Sequence, residues 1–525
     1  MQDHAQENRQ TLADISVIIG STRFSYPTKK DSSGTHFGIL QRPALAMGSY
    51  DLDFGSALGA AEAIRNKQIS SVELTQCMYE RIDRFNPALN AFVYQLREGA
   101  LSQAKKADQA QARGESLGIF HGVPISIKET FGIEGHPATW GLPTFKDIKS
   151  PATAEPVVRL LESGAVILGA TNVARGLADW QSYNDIYGTT NNPWNLERVP
   201  GGSSGGCAAA VAAGLSYLSL GSDMGGSLRI PAHFCGIFAH KPTVNLVSTL
   251  GLSPRGMQDY PGMESTLAVA GPMARSAADL LTALQILGGP SGYAAKAWQW
   301  RLPAPRRTSL KEFRVGYVID DPVAAPAPEV RALLESTIAL LDRAGVHLKV
   351  GWPREFQFEK IIENFSFHAQ AMRAATEPPK GVRSESPQIA GAKSGEPILF
   401  TTWQRENHQR LAFRDLWQHY FKDVDVFLSP IAFVPAFPHD HSEPRQNRIL
   451  HTSSGPRNYM DLRKWISIAS LTGCPATVAP VGVTQDGLPV GIQIMGPFWE
   501  DATPIRFAEL LSMEMGGFRN PPGYK

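Results

Sequence analysis

The chain has 525 residues, 43% hydrophobic and 19% charged, with 50 Lys and Arg against 49 Asp and Glu for a formal charge of +1. That is an ordinary globular composition, enough for one large core or for two or three smaller ones. With no basic surplus and no acidic tail, charge points to neither a nucleic acid nor a basic partner.

In chain order, residues 1–48 are polar, Ser/Thr-rich and weakly periodic, and read as a loosely packed extension outside the core. Their longest apolar run is Val17-Ile18-Ile19, with no basic segment before it. That is too short for a signal-peptide core or a membrane span, so a cytoplasmic protein is expected. Cys77, Cys207, Cys235 and Cys474 lie far apart with no C-x-x-C pair. They read as buried thiols of a reducing compartment, not as disulfides or a zinc site. From Leu52 the pattern tightens. Ser70 and Glu73 have capping-box spacing, Leu74, Cys77, Met78 and Ile82 recur at helical intervals, and Pro87 is expected to stop that helix.

Short apolar runs then alternate with helical segments. "GVPISIKE", "GAVILGATN", "LSYLSLGSD", "FRVGYVID", "DVDVFLSPIAF", "ATVAPVGV" and "PVGIQIMG" read as strands. "GCAAAVAAG" reads as a small-residue helix, and "APEVRALLESTIALLDRAG" as an amphipathic one. The alternation predicts an α/β sheet covered on both faces. Residues 380–398 and 436–458, rich in Pro, Ser, Gly and His, read as surface loops.

Three segments could carry chemistry. "PGGSSGG", residues 200–206, holds two overlapping G-x-S-x-G matches centred on Ser203 and Ser204. A nucleophile elbow needs an apolar strand just before the serine, and the polar, proline-bearing "NNPWNLERVP" supplies none. The segment then reads as a glycine-rich helix start that binds an anion or simply caps. In "GVPISIKET", residues 122–130, Lys128 ends an apolar run. Burial would lower its pKa towards a neutral amine, which is a base; the alternative is a strand-end lysine reaching solvent. In "GSDMGGSLRIPAHFCG", residues 221–236, Ser227 follows Met224-Gly225-Gly226. Consecutive N–H groups can turn inward there, as an oxyanion hole requires. Asp223 and Arg229 flank the turn closely enough to pair and hold it. The alternative is a glycine turn before a helix started by Pro231.

Taken together, these segments resemble the amidase-signature hydrolases. The resemblance rests on "GVPISIKE", on "GATN" with "YGTTNNPWNLERVPGGSSGG", and on "GSDMGGSLRIPAHFCG" followed by "HKPT". With the closing "TGCPATVAPVGVTQDGLPVGIQIMGP" it covers about residues 50–515. It implies one large domain over 49–525, with a mixed, mostly parallel central sheet flanked by helices on both faces. Residues 120–245 would be the catalytic core and 355–460 a variable substrate-loop region. It also implies a Ser–cis-Ser–Lys triad in which Ser227 is the nucleophile, Ser203 the bridge and Lys128 the base. The Gly202–Ser203 peptide would be cis. N–H groups of Met224, Gly225, Gly226 and Ser227 would form the oxyanion hole, supported by Ser204, Asp223 and Arg229. The Ser227 proton would pass through Ser203 to a neutral Lys128, so no histidine, metal or cofactor is called for. Trp140 stands where the family commonly has a smaller residue, which bears on the acyl pocket. Trp180 and Tyr183 are further candidates for its wall, and Trp403 and Trp465 could line a funnel.

Other motifs are weaker. His439 and His441 lack a third metal ligand nearby, and Ser102–Lys105, an S-x-x-K match, lies in a charged helical stretch without its partner motifs. The expected activity is hydrolysis of aryl or apolar amides through a seryl acyl-enzyme, in a monomer or homodimer, with no nucleic acid or membrane partner. A carbamate (urethane) hydrolase is the alternative within the same mechanism, with ester cleavage as a further side activity. A glutaminase subunit of a tRNA-dependent amidotransferase would need an "RYDGVRYG"-like segment, which the sequence lacks. A non-catalytic binding module would have no reason to keep Lys128 inside.

Overall fold

Among the described residues, eleven strands share one sheet. From edge to edge they are Phe92–Gln95, Val166–Thr171, Pro124–Lys128, Leu218–Asp223, Val269–Ala274, Phe238–Lys241, Ala476–Val483, Pro489–Met495, Val426–Ser429, Arg314–Tyr317 and His347–Val350. The structure is a computed structural model describing residues 51–253, 260, 264–376 and 398–525. The expected extension at 1–48, and all but the last residue of the 380–398 loop, lie outside the described residues. Residues 50–525 form one compact unit.

The sheet is mixed, and its parallel ladders fall in two blocks. In one, Pro124–Lys128 runs between Val166–Thr171 and Leu218–Asp223. In the other, Arg314–Tyr317 runs between Val426–Ser429 and His347–Val350. The strands joining the blocks, and the Phe92–Gln95 edge, pair antiparallel. A parallel neighbour needs a crossover connection. Helix Glu155–Glu162 supplies the one between Pro124–Lys128 and Val166–Thr171, and Pro328–Arg343 the one in the second block.

Alternation along the strands builds two cores. Val426 and Leu428 pack in one cluster, whereas Phe427 between them packs in another. Likewise Ala479 and Val481 belong to the first cluster, and Ala476 and Val478 to the second. Successive strand side chains point to opposite faces, so the sheet separates two layers of apolar packing. Helix Ser71–Leu89 contributes Leu74, Met78 and Ile82 to the first layer, and helix Arg463–Thr472 contributes Trp465, Ile466 and Ala469 to the second. Among the described residues, no helix is long and apolar enough to cross a membrane.

Some local expectations need correction. The capping box at Ser70 and Glu73 is formed, but the helix does not stop at Pro87; it continues to Leu89 and ends on Asn90 at φ 51°. A proline in the last turn forfeits one backbone bond without breaking the turns before it. The helix after Ser227 starts at Arg229, ahead of Pro231. Cys77 is half-buried, unlike Cys207, Cys235 and Cys474. Residues 436–458 are not merely a loop, because Ile449–Thr452 and Gly455–Asn458 pair as a hairpin.

Stability should follow this layering. Ile492 is fully buried in the first core. Ile492→Ala is expected to cost about 2–5 kcal/mol in urea unfolding. Ser70→Ala, which removes only a helix cap, should cost about 1 kcal/mol.

Candidate active site

The parallel pair Pro124–Lys128 and Leu218–Asp223 is in register at Ser126–Ser219 and Ile127–Leu220. Continued by one residue, that register sets Lys128 opposite Gly221, one position short of Ser222, near the ends of both strands. Ligands of α/β sheets gather at the carboxyl ends of parallel strands, and the three singled-out segments meet here. Lys128 is fully buried, and its Nζ donates to Ser203 Oγ at 2.8 Å and to Ser222 Oγ at 3.0 Å. Desolvation pulls its pKa down to about 7, against weaker upward contributions from Cys207 and Asp223. An amine in this position is partly neutral at physiological pH.

Ser203 follows a cis Gly202–Ser203 peptide and precedes the wholly buried helix Gly205–Ala212. Gly202 is required by close approach: a Cβ there would lie 2.5 Å from Asp179 O and 2.7 Å from Gln181 N. Ser204 ties this turn to the neighbouring one. Its Oγ donates to Ser222 O at 3.1 Å and its N–H to Ser227 O at 3.3 Å.

The loop carrying Ser227 is held by charge. Asp223 and Arg229 are both buried, paired through Nε–Oδ2 and Nη2–Oδ1 contacts of 3.0 Å each. Burial opposes ionisation of Asp223, but Arg229 and the Leu228 N–H outweigh it and hold the carboxyl at about 2. Asp223 also accepts from Gly226 N at 2.8 Å and Leu228 N at 3.1 Å. Gly226 lies at φ 89°, a conformation that favours glycine, with Ile230 and Ile466 at 3.1 Å from where a Cβ would sit. The N–H groups of the expected oxyanion set differ in their engagement. The Gly226 N–H is engaged by Asp223, while those of Met224, Gly225 and Ser227 donate to no described residue. Ser227 is 8% exposed, and its hydroxyl makes no hydrogen bond to any described residue, Ser203 included.

The aromatic candidates separate. Trp180 Nε1 donates to Gly225 O at 2.8 Å, placing that ring beside the Ser227 loop. Trp140 packs instead against the first core, at φ 57°, with its N–H on Glu129 Oε2 at 3.0 Å. Tyr183 stacks on His441 at 3.7 Å and turns its hydroxyl to Asp179 at 3.2 Å. Its hydroxyl thus joins a polar network with Asp179 and Arg448. Trp465 is buried and bonded to Ala324 O, and Trp403 lies against His368. No group of three or more potential metal ligands occurs among the described residues, His439 and His441 included. Ser102 and Lys105 lie within helix Arg97–Ala112.

Several residues at the site carry no clear mark in the sequence. Ser222 is a second acceptor for Lys128, one residue beyond the position that strand register sets opposite the lysine. Phe365 and Ile466 approach to 3.3 and 4.0 Å of a Cβ built on Gly225, from helices far along the chain. Glu129, pushed up to about 7 by burial, holds the N–H groups of Thr139 and Trp140 and accepts from Tyr187. Its place directly after Lys128 was the available signal.

Comparison with known proteins gives the class. A family model described as Amidase matches residues 73–504, and the chain belongs to this amidase signature family of amide hydrolases. It is 30% identical to a glutamyl-tRNA(Gln) amidotransferase subunit of Bdellovibrio bacteriovorus, covering 87% of this chain and 96% of that protein. It is 32% identical to indoleacetamide hydrolase of Bradyrhizobium diazoefficiens, covering 85% and 84%. In fold it is like a bacterial aryl acylamidase, with a TM-score of 0.75 at 21% identity over 88% of this chain and 96% of that one.

The Asp223–Arg229 pair makes a stability prediction. Asp223 has a folded-state pKa below its ordinary value. Its contribution is therefore present above about pH 4 and lost as pH falls towards about 2. Arg229→Met leaves the carboxylate buried and unpaired, and should cost about 3–5 kcal/mol at pH 7, read as a lowered urea midpoint.

Proposed function

We propose that this amide hydrolase works through Ser227 as nucleophile, Ser203 as proton bridge and Lys128 as base, and favours aryl or apolar amides. The observation that carries the reading is the fully buried Lys128 amine, 2.8 Å from Ser203 Oγ at the strand ends where the Ser227 loop begins. Ser227 Oγ attacks the amide carbonyl while its proton moves through Ser203 to Lys128. The oxyanion is met by the unengaged N–H groups of Met224, Gly225 and Ser227, fixed donors that act where charge develops. On collapse, Lys128 returns the proton through Ser203 to the leaving amine. Water, activated by the same route, then cleaves the seryl ester. The Ser227–Ser203 bond absent from the resting structure would form with substrate in place, since such bonds often tighten only in the complex.

Substrate preference rests on what surrounds the Gly225–Gly226 turn. Trp180, Phe365 and Ile466 present apolar surface there, and a relative acts on an indole-bearing acetamide by name. Burying one apolar group contributes about 1.5–3 kcal/mol, enough for a ~10–100-fold preference in kcat/KM. Aryl amides should exceed acetamide and glutamine by that margin; equal rates on glutamine would refute the preference. Aryl carbamates present a similar carbonyl and belong in the same panel. The likeness to a component of an amidotransferase favours, as a second reading, a glutaminase that works inside a complex, tested by co-purification of partner proteins.

Three outcomes test the chemistry. A fluorophosphonate should modify Ser227 alone, and an adduct mapped to Ser203 or Ser204 would reassign the nucleophile. The pH profile of kcat/KM should rise through about 7 as Lys128 loses its proton, because only the neutral amine accepts one. Lys128→Ala should lower the rate by about 10²–10⁴-fold with the fold intact by circular dichroism.

A further inference from the structure

The Gly225–Gly226 peptide is gripped at both ends. Its carbonyl accepts from Trp180 Nε1 at 2.8 Å, and its N–H donates to Asp223 Oδ1 at 2.8 Å. A trans peptide is a rigid plane with C=O and N–H pointing opposite ways. Fixing both groups therefore fixes the plane between the N–H of Gly225 and the N–H of Ser227. The Asp223 end is local. The Trp180 end leads elsewhere.

Trp180 follows Asp179, whose carboxylate is a junction. Oδ1 accepts from the Trp180 N–H at 2.7 Å and from the buried Tyr459 hydroxyl. Oδ2 accepts from Arg448 Nη1 at 2.7 Å and from the Tyr183 hydroxyl at 3.2 Å. Arg448 is 2% exposed; its Nη2 donates to the Tyr183 hydroxyl at 2.9 Å and to Glu443 Oε1 at 3.0 Å, and its Nε to Ser442 O. A second strap joins the same segments, with Gln181 Nε2 on Asp440 O and Asp440 N on Gln181 Oε1. Behind them, Gly202 lies against Asp179 O and Gln181 N. The 440–459 segment thus meets residues 179–181 through a buried ion pair, and those residues touch both serine-bearing turns.

We propose that Asp179 and Arg448 are positioning residues for the Ser227 loop, acting through Trp180 to hold the Gly225–Gly226 peptide plane. The segment 440–459 thereby sets the aim of the oxyanion donors as well as any contact with substrate. This rests on the function proposed above. A buried pair of this kind is costly to break because the remaining charge stays unpaired, so the plane has one well-held orientation.

The test uses the full-length enzyme, a small amide substrate, and a small sulfonyl fluoride that reports on Ser227 directly. Trp180→Phe removes the indole N–H while keeping an aromatic ring; Arg448→Met removes the counter-ion; Tyr459→Phe removes one donor to Asp179. A misaimed oxyanion loop should lower kcat by about 10–100-fold in all three variants and leave KM within about twofold in Arg448→Met and Tyr459→Phe, whose side chains are buried, because the lost interaction belongs to the transition state. Sulfonylation of Ser227 should slow in parallel. Trp180→Phe combined with Arg448→Met should be no worse than Arg448→Met alone, since both act on one carbonyl. Losses confined to KM, or effects that multiply in the double variant, would overturn the inference. If Arg448→Met does not fold, Trp180→Phe and Tyr459→Phe decide, and wild-type sulfonylation rates in both refute it. A wild-type enzyme unlabelled at Ser227 would instead refute the proposed nucleophile.

Discussion

Asp223 and Arg229 are charges removed from water, and burying an isolated charge is prohibitive unless it is paired and its remaining hydrogen-bonding capacity is filled. Here both conditions are met. Asp223 takes two guanidinium contacts and two backbone N–H groups, while Arg229 reaches Ile466 O, Ser470 Oγ and Gln493 Oε1. One ion pair therefore joins the end of a central strand, the turn bearing Ser227, the helix Arg463–Thr472 and the strand Pro489–Met495. Without it, the glycine turn would keep only the Trp180 and Ser204 contacts to hold its shape. Gly226 alone would permit many.

The same logic governs Lys128. A lysine at a strand end usually keeps its amine in water, but this one has no exposure and two hydroxyl acceptors. Hydroxyls satisfy an ammonium only in part and a neutral amine readily, so the surroundings favour loss of the proton. Glu129, one residue on, is raised by the same burial yet serves a different end, fastening the backbone at Thr139 and Trp140. The strand ends at Lys128 and Glu129 opens the turn that follows, so the amine stays at the strand end while the carboxyl fastens the backbone beyond it.

What was legible in the sequence is what local chemistry marks. Lys128 closing an apolar run, the glycines around Ser203 and Ser227, and the acid and base flanking that turn all lie in short contiguous segments. The α/β alternation was legible for the same reason. Partners set by tertiary approach were not. Arg448 and Asp179 are separated by 269 positions, and no periodicity links them. Trp180 and Tyr183 look alike in composition, yet one reaches the Gly225 carbonyl and the other an ion network. Equivalent backbone donors could not be ranked either, because only the folded turn shows that Asp223 takes the Gly226 N–H.

Lys128, Ser203 and Ser227 all fall in the first half of the chain, whereas Phe365, Arg448 and Ile466 come from its last third. Under the proposed mechanism the reacting groups thus lie apart in sequence from much of what surrounds the Ser227 loop, Trp180 excepted. A chimera that joins the first half of this chain to the second half of a relative would exchange those distant surroundings without changing Lys128, Ser203 or Ser227. The constraints on such a graft are Arg229, which needs the incoming half to present acceptors where Ile466 O, Ser470 and Gln493 stand, and Asp179, which needs a counter-ion where Arg448 stands. Grafts that supply them should keep Ser227 reactive toward a small sulfonyl fluoride while taking on the donor's range of amides; grafts that do not should lose the turn itself.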